Sequence, residues 1–353
     1  GVVVIEAWSD EATFYIWNDA TYEPKPGAAF FRYADFKFPA HGKWPDPKGM
    51  VDWLHAQDIR LLLWQIPVLK AADGVNLQHE NDRAHFLDAG YAVADPDGSP
   101  HRIRPFWFRG GEIWDVTNAE ARSWWMQKRA YLVDDLGIDG FKTDGGEHLW
   151  SEFARFADGR RGDEVWNEYA KLYSQTYFDF INRRTGAAEA DDRQAVTFSR
   201  AGFTGSQRSP LHWAGDENST WDAFRHSILA GLSAGISGIP FWGWDFGGFS
   251  GEIPSAELYL RGMAMATFCP ILQYHAEYNA QRKPNRDRTP WNIQARTGDE
   301  RVVPTARFFV NLRHTLLPYI WQEAQYAAAS GRPLMRSHQV LDAAASAFDY
   351  LFG

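Results

Sequence analysis

Residues 138–147 read Ile-Asp-Gly-Phe-Lys-Thr-Asp-Gly-Gly-Glu. The apolar run Gly137–Thr143 has the length and composition of a buried strand. Before it, Asn118 stands where a helix cap belongs, and Ala121, Trp125, Leu132 and Leu136 recur at helical spacing. After it comes Asp144-Gly145-Gly146, which alone reads equally well as a hairpin turn. The following Glu147-His-Leu-Trp-Ser-Glu-Phe153 does not alternate as a returning strand would. A parallel strand ending on small residues therefore offers Asp144 at its carboxyl end, and Gly145 and Gly146 let a substrate come close.

The same alternation extends in both directions. Val2–Trp8, Arg60–Pro67, Glu112–Val116, Ala195–Arg200, Leu211–Gly215 and Gly238–Trp244 read as strands. Pro47–Gln57, Arg161–Arg184 and Trp221–Ala234 read as helices, the first with Pro near its start. Apolar strands alternating with helices imply parallel strands covered by helices. Seven strands over this length predict an α/β fold of the (β/α)8 TIM-barrel type rather than a doubly wound sheet. No Gly-x-Gly-x-x-Gly follows the first strand. Residues 1–353 are read as one catalytic barrel, with an irregular excursion at about 70–111 from one strand end, where barrels carry functional loops.

Composition narrows the function. The formal net charge is -9 and the basic residues are scattered, so neither nucleic acid nor an anionic membrane surface is an expected partner. No apolar run reaches membrane-spanning length. Cys269 is the single cysteine, so no intrachain disulfide forms, and the compartment leans towards a reducing, cytoplasmic one. No His-Glu-x-x-His or cysteine cluster points to a metal, and no cofactor is expected. The 17 tryptophans exceed what a core of this size needs, and their flat faces suit sugar rings. Oligomeric state is not legible.

A second carboxylate stands in His212-Trp-Ala-Gly-Asp216, with Trp213 just upstream as the sort of aromatic wall expected beside a general acid. Its plainer readings are a cap for the helix near Trp221 or an ion pair with Arg208. Asp245 ends Phe241-Trp-Gly-Trp-Asp245 before two glycines and reads as a turn residue or a hydroxyl acceptor. Arg200 closes Val196-Thr-Phe-Ser-Arg200 and reads as a rim ion pair or a substrate contact. Glu6 and Asp10 flank Trp8, Trp64 interrupts an aliphatic strand, and His275 follows Gln273-Tyr274. Two strand-end carboxyls amid many tryptophans point to glycosidic bond cleavage, one attacking carbon and the other protonating the leaving oxygen. Gly231-Leu-Ser233-Ala-Gly235 mimics a nucleophile elbow, but it lies in a helical stretch that precedes a strand, the reverse of what an elbow needs. Asn218-Ser-Thr220 is a glycosylation sequon that abuts Asp216.

These segments resemble glycoside hydrolase family 31, over nearly the whole chain. Phe141-Lys142-Thr-Asp144-Gly-Gly-Glu147 is similar to the family's nucleophile segment in the form of its α-xylosidase branch. Ser199-Arg200 through His212-Trp-Ala-Gly-Asp216 resembles its acid/base segment, and Phe241–Phe249 its Phe-Trp-x-x-Asp-x-Gly-Gly-Phe segment. Trp44-Pro-Asp-Pro-Lys-Gly-Met50 and Leu317-Pro-Tyr-Ile320 also match. The resemblance implies Asp144 as nucleophile and Asp216 as acid/base. It implies that Trp64, Lys142, Arg200, Trp213, Asp245 and His275 line the sugar subsite. Glu6 stands where the family usually has an Asp that binds a sugar hydroxyl. The implied activity is retaining, exo-acting hydrolysis of terminal α-glucosides or related α-xylosides. A transglycosylase, an α-glucan lyase of the same family and a non-catalytic carbohydrate-binding barrel remain alternatives.

The resemblance also implies that the chain holds barrel strands two to eight, truncated at both ends and lacking the flanking β-domains. An open arc leaves strand edges and interior side chains uncovered. The expected outcome is that residues 1–353 alone bind an apolar dye and melt without cooperativity, while a longer chain with the first strand and β-domains melts sharply. Cooperative melting and equal activity of the short form would refute this.

Overall fold

The computed structural model describes residues 1–72, 74–104, 108–185, 196–209, 211–275 and 283–353, with only the backbone of Arg109. Its chain contacts form two compact units, Gly1–Ser209 and Pro210–Gly353.

In the first unit four strands run parallel: β1 (Val2–Ile5), β2 (Arg60–Gln65), β5 (Gly140–Thr143) and β6 (Val196–Ser199), in that spatial order. Their register aligns Val4 with Leu62, Leu62 with Gly140, and Gly140 with Val196. The helices are α1 (Pro47–Ala56), α2 (Leu77–Asp88), α3 (Ala119–Lys128), α4 (Ala130–Asp134) and α5 (Gly162–Thr185). Two of these starts have a clear local cause. Asp46 accepts the Gly49 N–H ahead of Pro47, and Asn118 accepts the N–H groups of Glu120 and Ala121. Phe141, on the outer face of β5, meets Tyr177 of α5 edge-on at 5.1 Å. The core is aromatic: Trp8, Trp17, Trp114, Trp124 and Trp125 are buried in it, and Trp114 stacks on Trp125 at 4.9 Å. These rings are core rather than sugar platforms.

Three sequence expectations change. Glu112–Val116 is not a barrel strand: only Glu112–Ile113 is extended (β4), and it pairs antiparallel with Val68–Leu69 (β3), outside the parallel sheet. A short apolar run does not reveal its partner, and here the nearer one won. The 70–111 stretch is not wholly irregular, since α2 lies in it with Asn76 as its cap. The helix expected from Asn118 onward breaks at Arg129 into α3 and α4. Ala195 and residues 105–107 of the excursion fall outside the described residues.

In the second unit β7 (Leu211–Trp213) and β8 (Phe241–Gly243) pair in parallel, aligning Trp213 with Gly243. Helices α6 (Trp221–Ile236), α7 (Ala256–Thr267), α8 (Pro290–Thr297) and α9 (Val302–Ser330) follow, then an antiparallel pair of β9 (Met335–Ser337) and β10 (Tyr350–Phe352). Ser233 lies inside α6, so the elbow reading fails as expected. Gly231 is small because a Cβ there would stand 2.7 Å from the Trp242 ring. Among the described residues, no helix is long and apolar enough to cross a membrane.

Two measurements check this packing. A Cβ at Gly140 would lie 1.8 Å from the Val196 carbonyl oxygen. Gly140→Ala should therefore cost about 3 kcal/mol in urea unfolding, an overpacking penalty. Cys269 is buried, and burial pushes its thiol up to about 12. It should resist alkylation at pH 8 until the protein is unfolded.

Candidate active site

Strand pleating brings the candidate residues of the first unit together. Side chains alternate with period two, so residues aligned across the ladder share a face. Ile5 pairs with Leu63, and Trp64 pairs with Lys142, which pairs with Phe198. Glu6, Trp64 and Lys142 thus lie level on one face, and Asp144 and Arg200 follow two residues further along theirs. The Asp144 N–H donates to the Gln65 carbonyl (2.9 Å) and the Arg200 N–H to the Thr143 carbonyl (3.1 Å), carrying the ladder to the strand ends. Gly145 then turns the chain with φ +77°, a conformation that favours glycine.

The side chains converge. Trp64 Nε1 donates to Asp144 Oδ2 at 2.9 Å. Arg200 NH1 lies 3.5 Å from Asp144 Oδ1, and its Nε lies 2.8 Å from Glu147 Oε1. Both contacts on Asp144 favour its ionised form. Lys142 Nζ pairs with Glu6 Oε1 at 2.5 Å. That lysine is nearly buried, so the carboxylate beside it compensates its charge. Trp8 Nε1 donates to the Trp64 carbonyl at 3.1 Å, fixing the backbone behind the indole. Asp10 is engaged within the protein. Its Oδ1 accepts from Ala12 N, Thr13 N and Thr13 Oγ1 and its Oδ2 from Asn76 Nδ2, and burial raises its pKa.

In the second unit Trp213 is buried on β7, and Asp216 is exposed three residues past that strand. The helix-cap reading of Asp216 does not hold: Thr220 caps α6 by accepting the Ala223 N–H. The loop is anchored because the Glu217 carbonyl accepts the N–H groups of Phe249 and Ser250. Asp245 is fully buried two residues past β8 and accepts from Gln273 Nε2 at 2.8 Å. The His275 ring meets Phe249 edge-on at 5.0 Å. Sequence reasoning did not single out Gln273 or the role of Glu147. Glu147 was legible as part of the quoted motif, but Gln273 carried no local signal.

A family comparison matches residues 13–323 to the description "Glycosyl hydrolases family 31 TIM-barrel domain". The chain belongs to glycoside hydrolase family 31. That match spans both compact units. The chain is 49% identical over 336 residues to a 1,3-α-isomaltosidase of Kribbella flavida, covering 95% of this chain and 45% of that protein. It is 45% identical to an isomaltosyltransferase of Sporosarcina globispora, covering 95% of this chain and 30% of that protein. A solved cycloalternan-degrading enzyme of Trueperella pyogenes, in complex with a covalent intermediate, matches at 45% identity and a TM-score of 0.93, over 100% of this chain and 48% of that one. The chain therefore spans half or less of the length of these relatives. Among the described residues no cluster of three or more His, Cys, Asp or Glu could hold a metal.

The Glu6–Lys142 pair gives a double-mutant test in the intact protein. Lys142→Met should cost about 3 kcal/mol or less in unfolding experiments, because it removes the ion pair that the nearly buried ammonium makes with Glu6. Adding Glu6→Gln should recover part of that loss. Additive losses would show that the pair is not coupled.

Proposed function

We propose that the intact protein is a retaining α-glycosidase or transglycosylase in which Asp144 is the nucleophile and Asp216 the acid/base. The observation that carries this reading is the Asp144 carboxylate at a strand end, held by Trp64 Nε1 at 2.9 Å and approached by Arg200 at 3.5 Å. One donor and one cation favour the anion needed for attack, and neither is a proton source for the leaving group. Asp144 attacks the anomeric carbon while Asp216 protonates the departing oxygen. Asp216 then deprotonates water or an acceptor hydroxyl, which displaces Asp144 and restores the original anomer. The covalent intermediate of the T. pyogenes relative supports this course.

Within the expected terminal α-glucosides or related α-xylosides, the proposed substrate is an isomaltosyl unit joined by an α-linkage, a reading the relatives support. Two proteins named for isomaltosyl chemistry match at 49% and 45% identity, while α-xylosidases match at 30% and 31%. Arg200, Trp64, Lys142 and Glu6 from the first unit, and Trp213, Asp245 and His275 from the second, are the proposed contacts to the sugar. The isomaltosyltransferase relative supports transfer to a sugar as a second reading.

Aryl α-isomaltoside should be turned over about tenfold or more faster than aryl α-glucoside or α-xyloside, since extra sugar contacts discriminate at this scale. Chromatography of the products from an α-1,3-linked isomaltosyl oligosaccharide separates hydrolysis from transfer, and an unsaturated product would indicate a lyase. A 5-fluoro glycosyl fluoride should label Asp144, read by peptide mass spectrometry; a label on Asp245 or Glu147 would overturn the assignment. Asp216→Ala should impair poor leaving groups far more than activated aryl ones, and azide should restore turnover with an α-glycosyl azide as product. Equal loss on both substrate types without rescue would leave Asp216 no acid/base role.

A further inference from the structure

Among the described residues, five other than glycine adopt a left-handed backbone: Glu11, Phe14, Asp19, Asp58 and Phe108. Aspartates tolerate this conformation; a glutamate or a phenylalanine there is strained. The three strained residues meet at one place. The Phe14 ring lies 5.5 Å from that of Trp64, and the Phe108 ring lies 6.0 Å from Trp64 and 5.9 Å from Phe14. Lys70 Nζ stands 5.5 Å from the Phe108 ring centre and 3.9 Å from Glu11 Oε2. Strain of this kind persists only where the surroundings impose it, and it concentrates at functional positions.

The surroundings that impose it are visible. The Phe14 carbonyl accepts from Gln65 Nε2 at 2.9 Å. Gln65 Oε1 in turn accepts from Arg129 Nε at 2.5 Å and from the Tyr177 hydroxyl at 3.0 Å, all buried. Phe108 is held at the head of a single turn whose carbonyl accepts the Gly111 N–H at 3.1 Å. Both rings, in contact with each other, pack on the indole that donates to Asp144.

We propose that Phe14 and Phe108 are positioning residues that clamp Trp64, so that its Nε1–H stays on Asp144 Oδ2. An indole can leave a hydrogen bond by rotating about two side-chain bonds, and an edge contact from Phe14 with a tilted contact from Phe108 restricts that freedom. The clamp keeps the carboxylate plane fixed and its anion favoured. The inference rests on Asp144 being the nucleophile.

The test uses Phe108→Gly, Phe108→Leu and Phe14→Leu in the intact protein, with Trp64→Phe as reference. Glycine accepts the left-handed backbone, so Phe108→Gly removes ring and strain together. Loss of a donor to the charged form raises a carboxyl pKa, so the acid limb of kcat/KM should move up. For both Phe108 variants we expect labelling by the 5-fluoro glycosyl fluoride to slow about tenfold, with melting temperatures near that of the parent. The acid limb should shift by about half a unit, and Trp64→Phe should change both readouts more. Phe14→Leu, at a buried position, should follow the Phe108 variants.

Unchanged labelling and acid limb in the Phe108 variants, beside altered ones in Trp64→Phe, would overturn the clamp while keeping the Trp64 hydrogen bond. Slower labelling only in proportion to lost melting temperature would reduce both phenylalanines to packing. If Phe108→Gly does not fold, Phe108→Leu decides alone. A label on a residue other than Asp144 would instead overturn the nucleophile reading and the clamp with it.

Discussion

Parallel pairing in one register is the constraint on which the candidate residues of the first unit depend. Val4, Leu62, Gly140 and Val196 stand level across four strands. A slip of one residue on any strand would turn its inward side chains outward. On β5 such a slip would bring Phe141 to the face now held by Lys142 and Asp144. The Phe141–Tyr177 contact opposes it, because it needs Phe141 on the helix side. Core packing on the outer face thus fixes the chemistry on the other.

Buried charge is compensated locally, and the compensation ties elements together. Lys142 is neutralised by Glu6, which joins β5 to the chain just past β1. Lys128 lies 2.8 Å from Asp82 and joins α3 to α2, and burial draws its pKa below the ordinary lysine range while Asp82 opposes the shift. Arg129 differs. It is buried, its Nε is met by the neutral amide of Gln65, and its guanidinium lies 4.2 Å from the Trp125 ring. A guanidinium is weakly hydrated and stacks on aromatic faces, which suits it to such a site better than an ammonium. Each pair is weak evidence for stability, but breaking one side leaves an uncompensated charge or an unmet donor.

The relatives include one protein named for hydrolysis and one for transfer, at similar identity. This is physically reasonable. Both reactions need the same carboxylates and the same first step, and they diverge only when water or a sugar hydroxyl reaches the intermediate. The choice between them falls to groups that bind or exclude an acceptor.

Local signals made much of this legible. Short apolar runs alternating with helical stretches marked the parallel α/β class, Asn118 and Pro47 marked helix starts, and the Lys-Thr-Asp-Gly-Gly-Glu context singled out Asp144. The sequence also placed Trp64, Lys142, Arg200 and Glu6 as candidates. What it did not contain was pairing. Glu112–Ile113 took Val68–Leu69 as its partner, Gln273 met Asp245, and Phe14 and Phe108 closed on Trp64 from opposite ends of a long stretch of chain. Residue types and their spacing are set by local backbone geometry, so a sequence alone determines them. Which distant side chain supplies a hydrogen bond, a counter-charge or a ring edge depends on how separate segments pack, and only the tertiary structure decides that.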